Sequence, residues 1–107
     1  MEDIRKVVEW LEERGAAYDF LEDGRIKAKV LLRDGERIVR VVRGYKGNLI
    51  GRIRGSSKIV VFPEVFTEFE EGGVVACRLV ERDTYYIGIP LKVQSNDRVR
   101  IFWIEQS

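Results

Sequence analysis

Residues 18–42 read YDFLEDGRIKAKVLLRDGERIVRVV. Ile26, Ala28, Val30 and Leu32 alternate with Lys27, Lys29, Leu31 and Arg33, and Val39 and Val41 alternate with Arg40 and Val42. That is the period of a strand with one face buried. Two Asp-Gly dipeptides, at 23–24 and 34–35, punctuate the pattern, and Asp-Gly between alternating runs signals a tight hairpin. Read as two-residue loops, the turns set a register. The first pairs Glu22 with Arg25, Phe20 with Lys27 and Tyr18 with Lys29. The second pairs Arg33 with Glu36, Leu31 with Ile38 and Lys29 with Arg40. Leu21, Ile26, Ala28, Val30, Leu32, Val39 and Val41 then share an apolar face. Tyr18, Phe20, Lys27, Lys29, Leu31, Ile38, Arg40 and Val42 share the other. Lys29 opposite Arg40 is a destabilising like-charge pair, which an anionic ligand would relieve.

Upstream of this stretch one helix is predicted over 2–14. Ile4, Val7, Val8 and Leu11 fall at i, i+3, i+4 and i+7, which makes one apolar stripe, and Gly15 is a natural C-cap. Strands are predicted over 17–21, 25–33, 37–43, 48–54, 58–62, 73–80, 85–93 and 98–105. The register of strand 48–54 stays open. GYKG at 44–47 makes either a four-residue loop or a bulge, and only one choice sets Arg52 and Arg54 beside Arg40. The chain reads as a single α+β domain over 1–107, with a helix (1–15), basic antiparallel strands (16–62), an acidic loop or short helix (63–72) and C-terminal strands (73–107). The expected architecture is an N-terminal helix packed on a mainly antiparallel meander sheet or partly open barrel of about 6–8 strands.

Net charge hides a strong asymmetry. The 107 residues carry 19 Lys and Arg against 18 Asp and Glu. By segment, however, 1–23 is −5, 24–58 is +9, 59–83 is −4 and 84–107 is +1. A charged fraction of 35% with few Asn and Gln and no His is the composition reported for hyperthermophile proteins. Cys77 is alone, so no internal disulfide is predicted. No apolar run approaches the ~20 residues of a membrane span, and no signal-peptide pattern opens the chain. A cytoplasmic protein is the expectation.

Basic side chains interleaved with aromatics on an exposed sheet suit single-stranded nucleic acid, DNA or RNA. Cations track the phosphates and aromatic rings stack on bases. The predicted binding residues are Tyr18, Phe20, Lys27, Lys29, Arg40, Arg43, Tyr45, Lys46, Arg52 and Arg54. The helix is acidic, which argues against reading a duplex groove with it. The plainer alternative is a solvated strand face that resists edge aggregation. A second alternative is a structural or interaction domain dimerising through its C-terminal strands, where Pro90 marks an edge or a bulge. A third is a small nuclease holding Mg²⁺ on Glu64, Glu68, Glu70 and Glu71.

Catalysis has little support in the sequence. Without His the commonest general base is missing, and Cys77 in VVACRLV reads as a buried strand residue. Neither GxxxxGK[ST] nor GxGxxG occurs, so no cofactor is predicted. GYKG resembles the GXXG loop of KH domains, which clamps a nucleic-acid backbone, although in that family the loop joins helices. Residues 85–103, YYIGIPLKVQSNDRVRIFW, resemble swapped-hairpin DNA-binding domains of the AbrB type over about a sixth of the chain. The helical segment between the two halves is missing. Tyr85, Ile87, Ile89, Leu91 and Val93 alternate, as do Val99, Ile101 and Trp103, which predicts a core hairpin instead.

Overall fold

Asp3 starts the helix. In the computed structural model, which describes residues 3–63 and 69–106, its carboxylate accepts from the Arg5 N–H at 2.9 Å and satisfies an otherwise orphan donor. The helix α1 (Ile4–Glu13) ends where the Ala16 N–H donates to the Leu11 carbonyl at 2.9 Å. Val7 and Leu11 of the predicted stripe are buried, and Ile4 and Val8 pack beside them.

Eight strands follow, one on each predicted segment: β1 (Ala17–Phe20), β2 (Ile26–Leu31), β3 (Glu36–Arg43), β4 (Leu49–Arg52), β5 (Ile59–Val61), β6 (Val74–Glu81), β7 (Tyr85–Pro90) and β8 (Val99–Ile104). The chain is α+β, with its strands in two sheets. It divides into two compact units, one made of Met1–Arg33 with Lys92–Ser107 and the other of Asp34–Leu91.

In the first unit the sheet order is β1-β2-β8, antiparallel between β1 and β2 and parallel between β2 and β8. Ile26, Ala28 and Val30 of β2 and Val99 and Ile101 of β8 meet Val7 and Leu11 of α1 in one core, with Val93. Each fully buried aliphatic side chain there contributes about 1.5–3 kcal/mol. Trp10 closes the margin, edge-on to Trp103 at 6.3 Å. The second unit is a closed five-stranded barrel in the order β3-β4-β5-β7-β6, with one parallel pair, β5 and β7. Val39, Val41, Ile53, Val60, Val75 and Cys77 fill it.

The pairing differs from the expected register at three points and settles a fourth that the sequence left open. β2 and β3 are not partners. β8 takes the free side of β2, so Lys29 stands opposite Ala17 and Phe102, and Arg40 opposite Arg52 and Val74. Asp34-Gly35 links the two units instead of closing a hairpin.

The Asp23-Gly24 hairpin does form, but one residue out of the expected register. Phe20 faces Ile26 and Tyr18 faces Ala28. A two-residue type I′ loop needs positive φ at both central residues, and only Gly24 has it, at φ 83°. The Leu21 N–H bonds the Arg25 carbonyl at 2.7 Å, which leaves residues 22–24 as a three-residue loop with glycine in the left-handed position.

GYKG resolves in the same way. The Gly44 N–H bonds the Asn48 carbonyl at 2.7 Å and Gly47 has φ 81°, so the bulged register holds and Arg52 lies beside Arg40. Finally, residues 85–103 do not form a hairpin, because β7 belongs to the barrel and β8 to the other sheet. Pro90 is the last residue of β7, opposite Cys77, and β5 reaches only Tyr85–Ile87 on the other side. Its missing N–H therefore interrupts no ladder on the β5 side.

The barrel wall is tight at Gly51. A Cβ there would overlap Val39 Cγ1 and lie 2.9 Å from Val60 Cβ and 3.0 Å from Phe62 Cζ. Gly51→Ala is expected to destabilise the protein by about 1–3 kcal/mol through overpacking, read as a lower urea midpoint at unchanged slope.

Candidate nucleic-acid interface

The ten predicted binding residues fall in both units. Tyr18, Phe20, Lys27 and Lys29 belong to the first, and Arg40, Arg43, Tyr45, Lys46, Arg52 and Arg54 to the second.

In the first unit the slipped register separates the aromatics from the lysines. Tyr18 lies on the α1 side of the sheet, packs on the core and donates its hydroxyl to Glu12 Oε1 at 2.7 Å. That hydrogen bond, then desolvation and the carboxylate's charge, hold the phenol above its ordinary value. Phe20 shares Tyr18's side and stands edge-on to it at 6.0 Å, although it is 59% exposed. Lys27 and Lys29 point the other way and are exposed. Neither Tyr18 nor Phe20 can therefore stack a base beside them.

The ring that does lie with the lysines is Phe102. It pairs with Lys29 across the parallel β2–β8 ladder, and Lys27 pairs with Arg100. Lys27 Nζ is 5.5 Å and Arg100 Cζ 5.4 Å from the Phe102 ring centre. Sequence reasoning missed Arg100 and Phe102, yet the signal was there. Arg98, Arg100, Phe102 and Ile104 hold the parity opposite to the core residues Val99 and Ile101.

In the second unit, β3 and β4 turn Arg40 and Arg52 outward as direct Cα partners, both exposed. Arg52 donates from Nη1 to the Ser57 carbonyl at 3.1 Å. No carboxylate of the described residues comes within salt-bridge distance of either guanidinium. Tyr45 and Lys46 form the exposed tip of the β3–β4 turn, and Arg54 is exposed just past β4. Arg43 and Lys58 of the basic stretch brace the chain. Arg43 reaches Glu71 at 3.3 Å and the Gly47 carbonyl at 2.7 Å, which braces the turn. Lys58 donates to the Arg82 carbonyl at 3.0 Å and lies over Tyr86 at 4.9 Å.

The remaining candidates are structural or lie elsewhere. Cys77 is buried and its thiol is pushed up to about 12 by desolvation, so it stays protonated and unreactive at neutral pH. Of the acidic cluster, Glu64 and Glu68 lie outside the described residues, and Glu70 and Glu71 are exposed. No group of three or more His, Cys, Asp or Glu among the described residues could hold a metal ion. The outward edge of β8 is partly filled by its own chain. The Ile101 N–H donates to Ser95 Oγ at 2.9 Å, and the Val99 N–H to Asn96 Oδ1 at 2.9 Å. No helix among the described residues is long and apolar enough to cross a membrane.

The Tyr18–Glu12 bond gives a test of this assignment. Tyr18→Phe is expected to lower the melting temperature at neutral pH and leave oligonucleotide affinity unchanged. Because the folded phenol titrates above its ordinary value near 10, the difference in melting temperature should be full below that pH and fade as the pH rises beyond it. Melting curves of both proteins between pH 7 and 11 check this.

Comparison with models of protein families, with curated proteins and with solved structures finds no match, so the functional reading rests on the arrangement of side chains.

Proposed function

We propose that this chain binds nucleic acid, single strands in preference to duplex, and that the outer face of β3 and β4 holds the phosphate backbone. The observation that carries the reading is the Arg40–Arg52 pair, two exposed guanidinium groups directly opposite each other on neighbouring strands. Like charges so placed oppose the fold. An anion seated between them reverses the sign of that contribution, and guanidinium forks match phosphate oxygens. Lys46 and Arg54 extend the same charge along the β3–β4 hairpin. Tyr45 at the turn tip offers a fully exposed ring to an unpaired base. A duplex hides its base faces, and α1 carries exposed Glu9, Glu12 and Glu13, which a phosphate backbone repels. Single strands are therefore the favoured ligand.

Fluorescence-anisotropy titrations with single- and double-stranded oligonucleotides at several salt concentrations test this. Arg40→Ala and Arg52→Ala are each expected to flatten the slope of log K against log salt by about 0.7, one single-strand phosphate contact apiece, and to leave the fold intact. Tyr45→Ala should cost about 1–3 kcal/mol of single-strand affinity with little change in slope. Unchanged affinity and slope in both arginine variants would reduce this face to solvated charge.

A further inference from the structure

The outer face of the three-stranded sheet changes character along its strands. Its rows are fixed by the β2–β8 register: Lys27 beside Arg100, then Lys29 beside Phe102, then Leu31 beside Ile104. Below the first row, Arg98 opens onto a groove that also takes in Leu21, Lys27, Asn96, Arg100 and Phe102. One end of the face is thus cationic, the middle is aromatic and the far end is aliphatic. Leu31, Phe102 and Ile104 are 53%, 39% and 45% exposed, so three large apolar side chains are left to water on one face. Single exposed apolar residues need no explanation, but a contiguous set rimmed by charge marks an interaction surface.

The cations there are uncommitted. Lys27, Lys29, Arg98 and Arg100 make no ion pair among the described residues, and Lys27 and Arg100 rest on the Phe102 ring. Asp19 stands across from Lys27 on β1, and Asp97 lines the groove. A two-fold contact with its axis along the strands would set these cations against their own copies.

We infer that this face is a nucleotide-stacking site for single-stranded nucleic acid, with the phosphate at Arg98 and Arg100 and the base on Phe102. The gradient matches the ligand, since a nucleotide is anionic at one end and a flat apolar ring at the other. Lys27 and Arg100 now cover the Phe102 ring as exposed cation–π contacts. These are weaker than a base stack, so a base displaces them and frees both cations for the flanking phosphates. Leu31 and Ile104 extend the apolar floor under the base edge. The inference deepens the proposed function by adding a second base contact, with its own cations, in addition to that of Tyr45. It stands on residues of the other unit, so either can fail alone.

The test compares two labelled decamers of equal charge, oligothymidylate and its abasic counterpart, at one salt concentration. Both Phe102→Ala and Phe102→Leu are measured, because leucine keeps apolar bulk and removes only the ring. The preference for the base-bearing strand is expected to fall by about 5- to 150-fold in both variants, with affinity for the abasic strand unchanged. Arg98→Ala with Arg100→Ala should weaken both strands. Arg40→Ala with Arg52→Ala, or Tyr45→Ala, should leave the Phe102 contribution in place, which separates this site from the barrel face. An undiminished preference in both Phe102 variants overturns the inference. So does equal affinity of the unaltered protein for the two strands, or no binding of either, which would assign the face to a protein partner.

Discussion

Which residue of β1 stands opposite Ile26 decides what the three-stranded sheet shows to solvent. With Phe20 in that place, Ala17 and Asp19 turn outward beside Lys29 and Lys27. One residue of slip would exchange every side chain between the faces. Asp19 would then lie under α1, at a desolvation cost of several kcal/mol for an unpaired carboxylate. The three-residue loop at 22–24 avoids this. Gly24 takes the left-handed conformation and Asp23 Oδ1 accepts from the Arg25 N–H at 3.0 Å, which fixes the turn from within. The loop and the burial pattern thus select the same register for independent reasons, as expected of a sequence whose local and global preferences agree.

The other determinant is the parallel pairing of β2 with β8, which joins segments about seventy residues apart. Hairpin rules cannot find it, because they speak only of neighbours in sequence. Yet it places Arg100 and Phe102 in the lysine rows, and so creates the mixed face of that sheet. It also leaves β8 at an edge, where unpaired backbone groups invite association with other chains. Ser95 and Asn96 answer this locally. Asn96 Oδ1 accepts from the N–H groups of Arg98 and Val99, and Ser95 both accepts from and donates to the backbone of Ile101.

What could be read from the sequence follows the range of the physics involved. The helix, the eight strands and most buried positions were legible, because each depends on periodicity within a few residues. Ile26, Ala28, Val30, Val39 and Val41 are buried as expected, but in two different cores. Pairing was not legible wherever it depended on partners distant in sequence. The same division runs through the candidate site. The outward direction of Lys27, Lys29 and Arg40 was correct, since parity within a strand fixes it. The aromatic partners were wrong, since Tyr18 and Phe20 were placed by a turn type and not by parity. Asp19 separates the two turn types, since it is exposed beside Lys27 in one and turned under α1 in the other.

The charge asymmetry takes on a different meaning in three dimensions. The +9 stretch over 24–58 is divided between the two units, because the chain passes from one to the other between Arg33 and Asp34. Within the barrel, Arg43 and Lys58 brace turns, and Arg40, Lys46, Arg52 and Arg54 are exposed. Exposed charges a strand apart interact weakly in water, about 1 kcal/mol at 4 Å before salt screening. A fold can carry the Arg40–Arg52 pair at that cost, so tolerance alone says little about function. The stronger sign is where the carboxylates went. Glu71 serves Arg43, Asp23 serves Arg25 at 2.6 Å and Glu12 serves Tyr18, while among the described residues Lys27, Lys29, Arg40, Arg52 and Arg100 make no ion pair. On the proposed reading, a few phosphate contacts per unit would give each a modest affinity and a shallow salt dependence.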